Sequence, residues 1–328
     1  MKGGHDMMIE AQTLILGAGL TGLTVAAGLR RAGGRPVVLD KSRGLGGRLA
    51  TRRAETWQFD HGAQYLRPRG PEFAALLDAL KPSGAVQAWD AAGEGAPAYV
   101  GLPGMSALVR PMADGVEVHR GVRVAAARRA QNLWHLSGPE GEPLARAPVL
   151  ICTIPAPQAA AVLEGHPLAP RIGAVAMDPC WTLMAAFAAP PDLPDISRAP
   201  DSALPWIARD GGKPGRQGET WVAQAAADWT RAHLDLPRAE AVQALLALLR
   251  DRAGGHLPDV LHGDAHRWLY AEAPSPLGVP CLSDPDSGLI VAGDWCLGSR
   301  AEHAVLSGEA ALAALPPLAA AASAMSAG

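Results

Sequence analysis

Three glycines, Gly17, Gly19 and Gly22, stand at GxGxxG spacing, and an acid, Asp40, follows about twenty residues later. Residues of these types at this spacing hold a dinucleotide. Gly17 permits a tight turn, Gly19 lets backbone approach a pyrophosphate, and Gly22 lets a helix lie close to a strand. Asp40 is placed to accept hydrogen bonds from both hydroxyls of a ribose. The elements needed to position them are in order. The apolar run from Thr13 to Leu16 reads as a short buried strand, an amphipathic helix follows the glycines, and a second strand from Arg35 to Leu39 ends at Asp40. The helix N-terminus then turns N–H groups and the positive end of its dipole toward an anion. With 37 glycines in the chain the spacing alone is weak, a glycine-rich structural turn being the plain alternative. The register of strand, turn, helix, strand and acid is what carries the reading.

These residues do not separate NAD from FAD. The segment after Asp40, KSRGLGGRLATRR, is rich in Gly and Arg where a simple dehydrogenase would continue with its next strand and helix. A second phosphate-side clamp, with Arg48 near the pyrophosphate, suits a cofactor held for good. Next, ETWQFDHGAQYLRPRG reads as a strand from Glu55 to Phe59 and a loop from Asp60 to Gly70. There Asp60, His61, Gln64 and Tyr65 flank Gly62 and Ala63, two small residues that would let backbone approach a flat ring. His61 reads first as a loop histidine capping local backbone, and Gln64 and Tyr65 as lining. Near the other end, DSGLIVAGDWCLGSRAEHAVLSGEAAL gives a buried strand from Gly288 to Ala292, ended by Gly293 and Asp294, and a helix from Ala301 to Leu315. Asp294 could bond a ribityl hydroxyl, and the N–H groups of Ala301 and Glu302 could face the pyrimidine oxygen of a flavin and stabilise negative charge on the reduced ring. A plain N-cap is the alternative for Asp294.

The whole chain is consistent with such a site. Its 328 residues can bury a substantial core and imply two domains or one elaborated domain. A hydrophobic content of 48%, a charged content of 19% and a net charge of −3 exclude a disordered chain and give no electrostatic case for nucleic acid. No apolar run is long enough to span a bilayer, and MKGGHDMMIEAQ lacks the apolar core of a secretory signal, so a cytoplasmic protein is expected. Cys152, Cys180, Cys281 and Cys296 are widely spaced without a CxxC pair and read as buried thiols. There is no metal cluster, no Ser/His/Asp set and no usefully spaced carboxylate pair, so no metal site is expected.

In order along the chain, residues 1–11 read as a loose leader. A short helix starts at Pro71 and stops at Pro82 and Gly84. A loop from Gly101 leads to a helix ending at Gly115. Short strands VEVHRG, VRVAAARRA and LWHLSG form a meander similar to that of large flavoproteins, a resemblance that implies Val124 near the adenine, and PVLICTIP from Pro148 to Pro155 with the helix after it resumes the parallel sheet. From about Pro167 to Gly278, long strands carrying Trp181, Trp206, Trp221, Trp229 and Trp268 indicate an antiparallel sheet with an outer helix from Pro237 to Ala253. Tryptophans spaced this way read singly as core and together as a roof for a flat ligand. Arg209, Lys213 and Arg216 lie on a Gly- and Pro-rich loop, either a clamp for phosphate or carboxylate or a solvated surface. The tail from Pro316 is read as frayed.

LILGAGLTGLTVAAGLRRAG, DKSRGLGGRLATRR, FDHGAQY, WIARDGGKPGR, HRWLYA and GDWCLGSRAEHAVLSG together resemble the bacterial renalases, within the larger flavin-containing amine oxidase group. The resemblance implies an α/β fold like that of hydroxybenzoate hydroxylase, with a Rossmann-like, discontinuous FAD-binding domain and an α+β substrate domain on an antiparallel sheet. It places FAD-binding parts at 11–70, 101–166 and 281–316, a substrate-domain insertion at 71–100, the substrate domain at 167–280, and flexible termini at 1–10 and 317–328. It implies non-covalent FAD, contacted by Leu20, Asp40, Lys41, Arg48, Ala63, Gln64 and Tyr65. The implied activity is oxidation of off-pathway dihydronicotinamide isomers, 2- or 6-dihydro-NAD(P), to NAD(P)+ with molecular oxygen reduced to hydrogen peroxide. The chain departs from the family pattern in its final motif, where Ser299 and His303 stand at positions expected to be glycine.

Hydride loss from a dihydropyridine yields an aromatic cation, so the step needs stacking and a short distance but no obligatory protein base. Tyr65, Tyr270, Trp295 and His303 are candidates for the substrate wall, and Arg209 for an anion contact. An amine oxidase or desaturase, which needs an apolar tunnel and an aromatic pair, and a non-catalytic dinucleotide sensor are the competing readings. No nucleic-acid or membrane partner is expected.

Overall fold

The strand Thr13–Leu16 has no exposed residue and sits fourth in a six-stranded sheet, between Val149–Cys152 and Val37–Asp40. A computed structural model of the protein describes residues 8–90 and 97–315. The described residues group into two compact units, one within Met1–Gly47, Met112–Ala176 and Ala273–Gly328, the other within Arg48–Pro111 and Met177–Glu272.

In the first unit the sheet runs Cys281–Asp284, Leu289–Ala292, Val149–Cys152, Thr13–Leu16, Val37–Asp40, Glu117–Arg120. All neighbours are parallel except the hairpin Cys281–Asp284 with Leu289–Ala292. Runs such as TLIL, VLIC and LIVA are buried at every position, as strands covered on both faces must be. Ile15, Val25, Ala26, Leu29, Val38, Ile151, Ala292 and Ala311 form one core between this sheet and the helices Leu20–Arg31 and Ala301–Ala313. Glu117–Arg120, expected in a meander, pairs parallel with Val37–Asp40 and extends the main sheet. The meander is a separate four-stranded sheet of Ala126–Ala130, Leu133–Ser137, Pro143–Ala147 and Ile9–Glu10. Part of the expected leader is therefore structural: Ile9 and Glu10 pair parallel with Ala145 and Arg146. The rest of that leader through residue 7, and the tail from 316, lie outside the described residues.

The second unit is built on five antiparallel strands in the order Ile196–Arg198, Trp206–Arg209, Glu219–Gln224, Asp178–Phe187, Val260–Glu272. Alternate residues of Asp178–Phe187 serve two cores. Leu183, Ala185 and Phe187 join Trp181, Trp221, Leu245 and Leu249 under the helix Arg238–Arg252. Met184 and Ala186 face the other way, with Val222 and Phe59. Phe59 belongs to a hairpin, Thr51–Ala54 with Trp57–Asp60, whose first strand was not expected; Glu55 lies in its turn rather than in a strand. This packing explains why the compact units part elsewhere than the expected boundaries. Residues 48–70 and 101–111 cluster with the antiparallel sheet, while 167–176 and 273–280 cluster with the parallel one.

Candidate functional site

In the first unit, Gly17 follows its strand with φ +110° and donates its N–H to the Leu39 carbonyl at 2.8 Å, a conformation that favours glycine. Thr153, at the end of the neighbouring strand, donates its hydroxyl to the Leu16 and Gly17 carbonyls at 3.0 and 3.2 Å and locks the turn. A Cβ on Gly22 would lie 2.0 Å from the Gly17 oxygen, so the helix beginning at Leu20 can rest on the turn only with glycine there. A Cβ on Gly19 would meet nothing within 4 Å. Gly19 caps the helix without a side-chain bond, and no acid stands in the first turn. Asp40 accepts the Ala18 N–H on Oδ2 and the Ser42 N–H on Oδ1, each at 2.6 Å, which leaves lone pairs on both oxygens. Lys41 is exposed beside it; burial of its ammonium's surroundings lowers its pKa, Arg123 adds to that, and Asp40 opposes it. Val122 donates its N–H to the Asp40 carbonyl, which brings buried Val124 alongside the end of that strand. Open space at Gly19, an uncapped helix start and a carboxylate with remaining lone pairs at the end of the next strand fit the ADP half of FAD.

The second group in this unit follows Leu289–Ala292. Gly293 donates its N–H to Ser307 Oγ at 2.8 Å, and that hydroxyl donates to the Pro280 carbonyl at 2.6 Å. Asp294 and Glu302 are both buried, and Ala301 opens a helix whose cap, Arg300, makes no side-chain cap bond. Trp295, expected in a substrate wall, is wholly buried and donates its indole N–H to the Ile154 carbonyl at 3.1 Å; it is a core residue. Ser299 is turned to the backbone of Ala273, accepting its N–H at 2.6 Å. His303 lies against Gly298, where a Cβ would stand 2.5 Å from Nδ1, so a glycine nearby makes room for the imidazole.

In the second unit the Asp60–Tyr65 loop turns its carbonyls inward. Gln64 Nε2 donates to the Asp60 and Gly62 carbonyls at 2.5 and 3.0 Å, Gln224 Nε2 donates to Gly62 at 2.8 Å, and Trp268 Nε1 donates to His61 at 3.0 Å. Ala63 donates its N–H to the Arg48 carbonyl at 2.9 Å, and a Cβ on Gly62 would lie 1.9 Å from that same oxygen. The Arg48 guanidinium donates to the Ala271 carbonyl at 2.9 Å. His61 stacks on Trp268 at 5.1 Å and meets His266 edge-on at 5.0 Å. Burial, the neighbouring imidazole and the Arg52 cation push His61 down to about 3, and burial and Arg52 push His266 down to about 4, so both rings are neutral. Tyr65 packs between Trp89 and Trp206, at 6.2 and 5.7 Å, with the Arg67 guanidinium over its own ring at 5.3 Å and that of Arg198 over Trp206 at 4.8 Å. Tyr270 is half-buried on the strand Val260–Glu272.

The loop expected to clamp an anion does something else. Arg209 is held by Glu219, which accepts from Nε at 3.0 Å, and by Asp195 at 3.5 Å, so it is an intramolecular ion pair rather than a substrate contact. Lys213 and Arg216 turn inward and meet Asp60 Oδ2 at 3.5 and 2.7 Å, and Lys213 also meets Asp210 at 2.6 Å. Asp60, Asp210 and Lys213 have no exposed side-chain surface. Burial pushes the Asp60 carboxyl up, and Lys213 and Arg216 outweigh it, holding the group below its ordinary value. For Asp210 burial wins and the pKa is raised. Thr153, Asp210 and Gln224 escaped the sequence reading as site residues, although Thr153 ends a strand read as resuming the parallel sheet, and Trp268 was read there only as one of five tryptophans that could together roof a flat ligand. Among the described residues there is no cluster able to hold a metal ion, and no helix is long and apolar enough to cross a membrane.

Residues 15–80 match the NAD(P)-binding Rossmann-like domain and residues 79–315 match the flavin containing amine oxidoreductases. Among solved structures, a candidate protoporphyrinogen oxidase from Exiguobacterium sp. 255-15 is similar at a TM-score of 0.74 and 14% identity, over 94% of this chain and 99% of that one. A putrescine oxidase triple mutant redesigned in cofactor binding is similar at a TM-score of 0.70 and 12% identity, over 98% of this chain and 100% of that one. At these identities the likeness is one of fold.

Proposed function

The chain belongs to the flavin-containing amine oxidoreductase family, with FAD as its cofactor, and from that premise we propose that it oxidises 2- or 6-dihydro-NAD(P) to NAD(P)+, with oxygen and a solvent proton taken up to give hydrogen peroxide. Bound FAD would supply the two-electron acceptor between substrate and oxygen. The chain's residues bind and orient. Gly17, Gly19 and Gly22 hold the pyrophosphate side, Asp40 the adenosine ribose, and Val124 the adenine. Leu20, Lys41, Arg48, Ala63, Gln64, Gly293, Asp294, Ala301 and Glu302 complete the proposed cofactor contacts, and Tyr65, Tyr270 and His303 remain proposed substrate contacts.

The observation that carries the substrate reading is that the ring faces of the aromatic cluster are already occupied. Tyr65 and Trp206 are the kind of pair that would enclose an amine, yet guanidinium groups lie over both rings. The nearby carboxylates of Asp60 and Asp210 are buried and matched by Lys213 and Arg216. An amine entering between these rings would have to displace guanidinium groups already seated on their faces, whereas a nicotinamide nucleotide needs no such cage. His61 and His266 are neutral with low basicity, and a dihydropyridine that loses hydride to become aromatic needs no base from either.

The family name and the putrescine oxidase fold favour a second reading, oxidation of a small amine. Anaerobic mixing of the yellow protein with 2-, 4- and 6-dihydro-NAD, and separately with putrescine and benzylamine, decides between them. Bleaching of the flavin by the 2- or 6-isomer and not by amines is expected. Bleaching by an amine alone would overturn the first reading in favour of the second.

A further inference from the structure

We propose that Lys213 is a positioning residue that sets the face of the Asp60–Tyr65 loop by fixing the amide of Gln64. The inference rests on the reading that this loop lies against the flavin.

Gln64 is buried and its amide can be oriented in two ways. Its nitrogen lies 2.5 and 3.0 Å from the carbonyl oxygens of Asp60 and Gly62, and its oxygen lies 3.3 Å from the Lys213 ammonium. A lysine ammonium offers donors only, and a carbonyl offers acceptors only, so this network admits one orientation. Turned over, the amide would set oxygen against two carbonyls and nitrogen against an ammonium. Lys213 therefore anchors the oxygen end of the amide whose nitrogen draws two loop carbonyls inward. Trp268 and Gln224 draw in the same stretch from the other side, through His61 and Gly62. With these carbonyls directed inward, the loop can face a flat ring without opposing carbonyl lone pairs to it.

The ammonium is itself held in place. Asp210, three residues earlier in the turn Asp210–Gly212, binds it at 2.6 Å, and Asp210 Oδ1 also accepts the Asp60 N–H at 3.3 Å. Asp60 in turn accepts the Thr51 hydroxyl at 2.7 Å and the Met105 N–H at 2.9 Å on its other oxygen. Two acids and two cations balance in a site without water-facing surface. Such an arrangement adds little net stability over an apolar one and fixes geometry strongly, because removing one partner leaves an uncompensated buried charge. An ordinary surface loop would need none of it.

The double variants keep the cluster neutral, and Asp210→Asn alone, which leaves two cations facing Asp60, is the reference that retains Lys213. Asp210→Asn alone retains Lys213 on Gln64, and the double variant Asp210→Asn/Lys213→Met removes the donor to Gln64 while leaving Asp60 paired with Arg216. FAD dissociation, the visible circular dichroism of bound flavin, the midpoint potential by dithionite titration, and Tm are measured on each. Relative to Asp210→Asn, the double variant should bind FAD about tenfold more weakly, the loss of one charged hydrogen bond's worth of preorganisation, with altered circular dichroism and a shifted potential. Asp210→Asn/Lys213→Gln, which restores a neutral donor, should recover most of the difference. Equal FAD dissociation, spectra and potential in the first two variants, with Tm alone lowered, would overturn the proposal. These measurements use no substrate, so they stand even if the substrate is an amine. A wild-type chain that takes up no FAD would defeat the proposed function and this inference together.

Discussion

A Cβ on Gly22 would lie 2.0 Å from the carbonyl oxygen of Gly17, whereas one on Gly19 would meet no atom of the chain within 4 Å. The two glycines of one motif thus answer to different constraints. Gly19 has φ −77°, which any residue adopts, so Gly19→Ala should fold with unchanged Tm and still lose FAD, because the methyl group occupies the approach to the pyrophosphate. Gly22→Ala must push the helix from the turn and should cost about 1–3 kcal/mol of stability as well as the cofactor. Calorimetry of the apoproteins and the flavin content on purification check both. Equal stability losses in the two variants would contradict this division.

Gly62 presents the same logic in the second unit. The Arg48 carbonyl accepts the Ala63 N–H, and a Cβ on Gly62 would come within 1.9 Å of it. Gly62→Ala should break that bond, cost about 1–3 kcal/mol, and disturb the loop held by Gln64 and Trp268. Denaturant unfolding gives the first quantity and tryptophan fluorescence reports the second through Trp268. A variant with wild-type midpoint and fluorescence would show that the loop has slack that the contact denies.

The glycine turn and the terminal acid were legible because the apolar run, the glycines and Asp40 lie within about thirty residues of one another, and the strands Val149–Cys152 and Leu289–Ala292 because each is a continuous apolar run. The antiparallel sheet and its outer helix were legible by pattern, with the helix found at Arg238–Arg252 against an expected Pro237 to Ala253. Lys213 and Arg216 were not legible as buried residues. A lysine and an arginine among glycines and prolines look solvated, and the acid that buries them, Asp60, lies some 150 positions away. Trp295 misled for the opposite reason: an aromatic beside a motif looks like lining, and only Ile154, reached through the fold, shows its N–H to be taken. Ile9 and Glu10 are too short a run to read as a strand, and their partner Pro143–Ala147 was itself unread.

The paired imidazoles of His61 and His266 set an acid limit on stability. Their folded pKa values, about 3 and about 4, lie below the ordinary value of 6.5. Between those values the unfolded chain binds protons that the folded chain does not, so stability falls as pH falls. Their contribution is fully present above about pH 6.5 and is lost progressively from there down toward pH 4 and then 3, each group steepening the decline by up to about 1.4 kcal/mol per pH unit. Urea midpoints from pH 8 to 4 should be flat above pH 7 and descend below 6. His266→Asn, which removes one titrating group, should flatten the descent. A wild-type profile level down to pH 4 would contradict the neutral, buried state of both rings.

The thiols offer a last measurement, one that is independent of any ligand. Cys152 ends a wholly buried strand and burial pushes it up to about 12; Cys296 is likewise buried and pushed up to about 12. Cys281 is half-buried at the edge of the six-stranded sheet and is raised by the same cause, and all four cysteines are free. At pH 8 a thiol of pKa near 12 is ionised to roughly one part in ten thousand, and only the thiolate attacks. In the native protein, iodoacetamide should therefore label Cys281 first and leave Cys152 and Cys296 intact, as peptide mass spectrometry would show. In 6 M guanidinium all four should label together, because the unfolded chain removes both the burial and the shift. Rapid native labelling of Cys152 would mean that the parallel sheet opens at its centre.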